Sequence, residues 1–145
     1  MFNRFTKKSG NAKIKNAVKV VDENGVKFDS RLEKYASDTL KQYGISFLFQ
    51  HKYILVPGFK YRNETIRPIT LTVDFWLPEL NVIIDTKGFQ TEQSKIKMKM
   101  LKAHLLAQGS LQVGWISNYL PPEICLPSSK KAVNDLVILM KSRMS

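Results

Sequence analysis

The sequence has few of the residues from which metal and nucleotide sites are commonly built. Its 145 residues include one cysteine, Cys125, so neither an intrachain disulfide nor a cysteine-cluster zinc site can form. The two histidines, His51 and His104, are far apart and have no cysteine or histidine at metal-ligand spacing. The seven glycines form neither a phosphate-binding loop nor a dinucleotide fingerprint, so we expect no nucleotide cofactor.

Long apolar segments are also missing. The N-terminus is basic but has no apolar stretch of the kind found in secretory signals. The longest uncharged run, from Ala103 to Pro122, is broken by glutamine, glycine, serine and asparagine, unlike a membrane span. We therefore expect a cytoplasmic protein that does not contact a membrane.

What the sequence does have is an excess of basic residues. It contains 23 lysines and arginines against 12 acidic residues, a formal charge of +11 at pH 7, and its 43% hydrophobic content is ordinary for a folded protein. Such a charge is typical of proteins that bind nucleic acid. We expect a basic arm over residues 1–17, in which Arg4, Lys7 and Lys8 contact DNA, and one domain over residues 18–145. The alternative for the arm is a solubilising tail.

Hydrophobic patterning predicts an α+β (α/β) fold with a mixed β-sheet flanked by helices. Asn24-Gly25 favours a tight hairpin near the start, and Ser30 followed by Glu33 is a capping box that predicts a helix ending at Gly44. The remaining predicted elements are strands at 45–56, 69–77, 82–87 and 111–116, a hairpin tip or loop at 59–68, and helices at 91–108 and 129–141.

Two acidic residues lie on strands that are otherwise apolar. If residues 78–81 form a hairpin loop, Leu77 pairs with Val82, and counting back places Asp74 opposite Asp85 on one face of the sheet. Lys87, two residues further on, shares that face. Two carboxylates so close repel each other, and a divalent cation removes the conflict; oxygen ligands favour Mg²⁺ or Mn²⁺. The alternative is a structural Asp85–Lys87 ion pair beside an unrelated Asp74.

Glu33 is a third acid that reaches the same place if its helix packs across the sheet. The alternative role for this residue is structural, because Glu33 is also the capping-box partner of Ser30.

Asp74 followed by Asp85-Thr86-Lys87 resembles the signature of PD-(D/E)xK nucleases, with Glu33 as the helix-borne acid. The resemblance covers about residues 20–117 and is closest to phage endonuclease I-type Holliday junction resolvases. It extends to small phage and prophage proteins that share a Phe-Asp-Ser-basic-Leu-Glu opening, here residues 28–33. Val73 stands where that signature has proline, which is not a ligand position.

The resemblance implies a restriction-endonuclease-like fold and a homodimer, in the host cytoplasm if the chain is phage-encoded. Asp74 and Asp85 would hold Mg²⁺ with the backbone carbonyl of Thr86, and Glu33 would bind or orient a second metal or its water. Lys87 would orient the attacking water or stabilise charge on the phosphate. The activity implied is that of a Mg²⁺-dependent endodeoxyribonuclease, a phosphodiester hydrolase acting on branched DNA such as a Holliday junction.

Lys95, Lys99 and Lys102 share one face of the helix predicted after the motif, and we expect them to contact DNA phosphates. The alternative is a solvated helix face. Two other functions remain open at this point: a nicking or restriction-like nuclease acting on ordinary duplex DNA, and a nucleic-acid-binding accessory protein without cleavage.

Overall fold

A computed structural model describes residues 19–86, 90–113 and 119–144. Within these residues the chain forms three helices and eight strands. The helices are α1 (Arg31–Gln42), α2 (Glu92–Val113) and α3 (Lys130–Arg143). The strands are β1 (Val20–Val21), β2 (Lys27–Phe28), β3 (Leu48–Val56), β4 (Phe59–Tyr61), β5 (Glu64–Ile66), β6 (Ile69–Leu77), β7 (Val82–Ile84) and β8 (Glu123–Cys125).

The central sheet has four strands in the order β3-β6-β7-β8. The first three are antiparallel neighbours, whereas β8 runs parallel to β7. Strands β1 and β2 pair with each other in one small hairpin, and β4 and β5 pair in another. This mixed sheet with helices on it confirms the predicted α+β class.

Each face of the sheet covers its own hydrophobic core. The first core lies under α1 and α3, where Ala36 and Val137 pack against Phe75. The second core lies under α2, where Met98 and Leu101 join Val73 and Ile83. On β7 the side chains alternate between the cores, Ile83 facing the second and its two neighbours the first, as the two-residue period of a strand requires.

Local sequence signals explain where α1 and α3 begin. The Ser30 hydroxyl accepts a hydrogen bond from the backbone N–H of Glu33, and Ser129 does the same for Ala132. Each serine satisfies a helix N–H that has no carbonyl partner within the helix. The predicted cap of α1 at Ser30 is therefore confirmed, whereas Ser129, predicted as the first helical residue, is the cap of α3.

The predicted strand at 111–116 is wrong for residues 111–113, which are the last turn of α2; residues 114–118 lie outside the described residues. The helix continues through Gly109, and the missing β-carbon there leaves room for Tyr119. A β-carbon at Gly109 would lie 1.8 Å from the ring of Tyr119, whose hydroxyl donates to the Leu105 carbonyl. The fourth strand of the sheet is instead β8, Glu123–Cys125.

No helix in the described parts of the chain is both long enough and apolar enough to cross a membrane.

Candidate active site

The hairpin between β6 and β7 brings two carboxylates together. Its register pairs Leu77 with Val82 and, two pairs back, Phe75 with Ile84, as the sequence predicts. One step further, the backbone N–H of Asp74 donates to Asp85 Oδ1 at 3.1 Å. Strand β7 ends at Ile84. The N–H of Asp74 is therefore accepted by the Asp85 side chain and not by a backbone carbonyl of β7.

Thr86 fixes the second oxygen of Asp74. Its backbone N–H and its hydroxyl both donate to Asp74 Oδ2, at 2.8 and 2.6 Å. These two bonds tie the end of β7 to the middle of β6 and hold the Asp74 carboxylate in one orientation. The sequence prediction gave Thr86 a role through its carbonyl oxygen and did not anticipate these two contacts.

Glu33 has both of the roles considered for it. One carboxylate oxygen, Oε2, accepts a hydrogen bond from the backbone N–H of Asp29 at the start of α1, which is a capping contact. The side chain is nevertheless 1% exposed, and its other oxygen, Oε1, has no hydrogen-bond partner among the described residues. A buried carboxylate oxygen without a donor is costly, so capping alone does not account for this side chain.

The proximity of Glu33 changes the acidity of Asp74. Burial and the nearby negative charge of Glu33 raise the pKa of Asp74 to about 6, against the two opposing bonds from Thr86. Burial is the largest of these causes. Two carboxylates this close repel each other, and a cation beside them would relieve that repulsion.

Asp74 also lies where β6 changes face. Val73 packs in the second core and Phe75 in the first, although two residues apart on a regular strand point the same way. The ladder between β3 and β6 skips the pair Gln50 and Asp74, and Gln50 has a left-handed backbone with φ of 54°. The break turns Asp74 toward Glu33 on α1. The sequence carries no turn residue that signals it.

Glu33, Asp74 and Asp85 together are called the acidic site below. In the described residues no three acidic, histidine or cysteine side chains form a ready-made metal-binding group. The donor set nevertheless fits a hard divalent cation: all its potential ligands are oxygen, one buried oxygen lacks a donor, and the neighbouring carboxylates of Glu33 and Asp74 repel each other. A bound cation would give the buried Glu33 oxygen a partner and would relieve the repulsion between the carboxylates, with neither group protonated.

Several predicted site residues cannot be placed. Lys87, Arg4, Lys7 and Lys8 lie outside the described residues. The predicted basic arm over residues 1–17 does so as well.

The lysine stripe on α2 is exposed, as predicted, but it does not lie beside Glu33. Lys95, Lys99 and Lys102 are all on the solvent side of α2, and Lys95 contacts Glu92 at 3.6 Å. Because α2 covers the second core and α1 covers the first, these lysines and Glu33 are on opposite faces of the sheet. Their contact with DNA stays a prediction.

Comparison with known proteins gives one match. A protein family described as "Protein of unknown function (DUF1064)" matches residues 13–120, which include the acidic site. No curated protein and no solved structure matches the chain.

Proposed function

We propose that the chain, which belongs to the DUF1064 family, is a metal-dependent endonuclease that hydrolyses phosphodiester bonds in branched DNA. The observation that carries the proposal is the Glu33 carboxylate, buried with one oxygen lacking a donor and adjacent to Asp74. The capping contact uses only the other oxygen, Oε2, whereas a cation would use the oxygen that lacks a donor. The +11 charge of the chain supports a polyanionic substrate.

The residues of the acidic site would hold Mg²⁺ or Mn²⁺, with the carbonyl of Thr86 as a further ligand. When bound, such a cation lowers the pKa of a coordinated water and neutralises charge on the phosphate. Thr86 keeps the Asp74 carboxylate oriented through its two hydrogen bonds. Asp85 is aligned by the backbone N–H of Asp74. Lys87 is proposed to orient the attacking water or stabilise the charge on the phosphate.

Charge distribution separates this proposal from simple DNA binding. A protein that only binds DNA gains nothing from buried carboxylates near a phosphate, since they repel it. A nuclease gains the cation that those carboxylates hold. A preference for branched DNA, two symmetric cuts and the homodimer they require follow from the resemblance to junction resolvases and are part of the proposal.

The test is a cleavage assay on a labelled four-way junction and a linear duplex with the same arms. Each DNA is incubated with the protein in Mg²⁺, in Mn²⁺ and in EDTA. Paired, metal-dependent cuts near the branch, with the linear duplex intact, are the expected result.

Other results would change the proposal in defined ways. Equal cleavage of both DNAs would leave a nuclease and remove the preference for branched DNA. Salt-sensitive binding without cleavage in either metal would overturn the enzymatic proposal in favour of an accessory DNA-binding protein.

A further inference from the structure

The β4–β5 hairpin is the most exposed part of the described chain and has no place in the catalytic proposal. It forms a two-stranded sheet of its own, outside the four-stranded central sheet. Every residue from Phe59 to Thr65 is exposed. The hairpin continues from the paired ends of β3 and β6, so these two strands hold it in place while its own side chains stay exposed.

One face of this hairpin is aromatic. Phe59 and Tyr61 are two residues apart on β4 and therefore point to the same side. Phe59 is 49% exposed and Tyr61 is 64% exposed, which is unusual for side chains of this size. Directly opposite them on β5 lie Ile66 and Glu64. The face therefore presents the two rings beside Ile66 and Glu64.

Basic side chains lie in the hairpin and directly after it. Lys60, Arg62 and Arg67 are all exposed, and Glu64 is the one acidic residue between positions 59 and 67. Arg62 lies in the turn with a left-handed backbone, φ 58°, where asparagine or glycine is usual. The basic residue is thus placed at the tip despite a backbone preference against it. Aromatic rings with cations around them match an unpaired nucleic-acid strand, since bases stack on rings and phosphates bind cations.

The spacing of the two rings fits a base. Two residues of a strand advance about 6.8 Å. One stacked nucleotide occupies about 3.4 Å along its strand. The gap between the Phe59 and Tyr61 positions therefore leaves room for one base between the rings.

We propose that the β4–β5 hairpin binds bases that unpair or unstack at the branch of the DNA substrate, with Phe59 and Tyr61 stacking on them and Arg62 contacting phosphate. This deepens the proposed nuclease function and rests on it for the identity of the DNA. The five residues of β6 that separate Ile69 from Asp74 span about 17 Å, which is the length of about five stacked base pairs. One duplex arm can extend from the hairpin to the acidic site.

The test measures binding in EDTA, so that it is independent of cleavage. One DNA is a branched junction with an unpaired 2-aminopurine at its branch, and the other is a linear duplex with the same arms. The proteins are the wild type, Tyr61→Ala, Tyr61→Trp and Leu139→Ala. Leu139→Ala is the matched control, because Leu139 is a 47% exposed apolar residue on α3.

Tyr61→Ala is expected to weaken binding to the junction about ten-fold, the loss typical of one stacked base. Duplex affinity stays the same, and the fluorescence quenching of 2-aminopurine disappears. Tyr61→Trp restores both affinity and quenching, while Leu139→Ala binds both DNAs like the wild type. Arg62→Asn, which suits the left-handed turn, is expected to lower the salt dependence of binding by about one counterion.

Three outcomes would overturn the proposal. The first is wild-type junction affinity in Tyr61→Ala. The second is an equal loss on junction and duplex, which would mean that no unpaired base is involved. The third is dissociation of a dimer by Tyr61→Ala in sedimentation without a change in DNA affinity, which would assign the face to a second copy of the chain. A wild-type protein that binds as expected but never cleaves in Mg²⁺ would overturn the nuclease proposal and leave the hairpin proposal intact.

Discussion

The acidic site and the β4–β5 hairpin both place side chains in environments that such side chains usually avoid. The acidic site buries carboxylates, whereas the hairpin exposes aromatic rings to solvent. The acidic site buries charge: Glu33 and Asp85 are each 1% exposed. The hairpin exposes apolar rings, with Tyr61 64% exposed. Burying like charges lowers the stability of the protein until a cation arrives, whereas exposing a ring costs little. Changes in the acidic site should therefore alter stability and chemistry together, and changes in the hairpin should alter binding alone.

The largest effect is expected from Asp85→Asn. Because this carboxylate is a proposed cation ligand that is aligned by the Asp74 N–H, its loss should reduce cleavage by about 10²- to 10³-fold. DNA binding should be unchanged or tighter, since a negative charge near the phosphate is gone. The measurement is single-turnover cleavage alongside an equilibrium binding assay. Glu79→Gln, in the exposed β6–β7 turn, is the matched control and should cut normally. Wild-type cleavage by Asp85→Asn would show that the site is misassigned.

A pH dependence of stability is the second prediction. Because the pKa of Asp74 is raised from 3.8 to about 6 in the folded state, the folded protein binds more protons than the unfolded chain between these values. Stability in EDTA should therefore fall as pH rises from about 4 to about 6, by at most about 3 kcal/mol. Denaturant unfolding at several pH values measures it. Asp74→Asn should flatten the profile, and Mg²⁺ should restore stability at pH 7. A flat wild-type profile would contradict the proposed carboxylate pair.

Glu33→Gln separates the two roles of Glu33. The amide oxygen of glutamine can still accept the Asp29 N–H, so the cap survives, and the repulsion with Asp74 is gone. The melting temperature in EDTA should be unchanged or higher, while cleavage falls by about ten-fold or more. Glu33→Ala, which also loses the cap, should in addition cost about 1 kcal/mol of stability. Full activity in Glu33→Gln would reduce Glu33 to a capping residue.

The smallest effect on stability is expected in the hairpin. Tyr61→Ala removes an exposed ring, so the free energy of unfolding should change by no more than about 0.5 kcal/mol. Phe75→Ala, at a fully buried ring of the first core, should cost about 3–5 kcal/mol by comparison. Denaturant unfolding of both variants measures the contrast. A large loss of stability in Tyr61→Ala would mean that the ring is structural and would remove the distinction between the two regions.

Much of the acidic site could be predicted from the sequence, because its geometry follows from short-range rules. A four-residue turn fixes the register of β6 against β7, and that register brings Asp74 to Asp85. A serine three residues before Glu33 fixes the start of α1. Such rules depend on neighbours in the chain, and a single sequence contains them.

The features that the sequence did not reveal are those determined by packing between residues far apart in the chain. Gly109 lies within α2 and does not end it, and its missing β-carbon leaves the space that the ring of Tyr119 occupies. Gln50 adopts a left-handed backbone where two long strands change face. The parallel strand β8 is three residues long, so its hydrophobic pattern is too short to predict a strand. It is recognised as a strand by its pairing with β7. The exposed stripe of lysines was found by helical spacing, but the face of the sheet that it occupies depends on how α2 packs.

The hydrogen bond from the Asp74 N–H to Asp85 has a consequence for experiment. Strand β6 lies between β3 and β7, where amide protons are expected to exchange slowly with solvent. The amide of Asp74 is held by a carboxylate oxygen, and that oxygen belongs to a proposed cation ligand. Deuterium uptake at this single position should therefore change when Mg²⁺ is added, while its neighbours Val73 and Phe75 stay protected. The protein thus carries a built-in reporter of metal occupancy that requires no DNA and no catalysis.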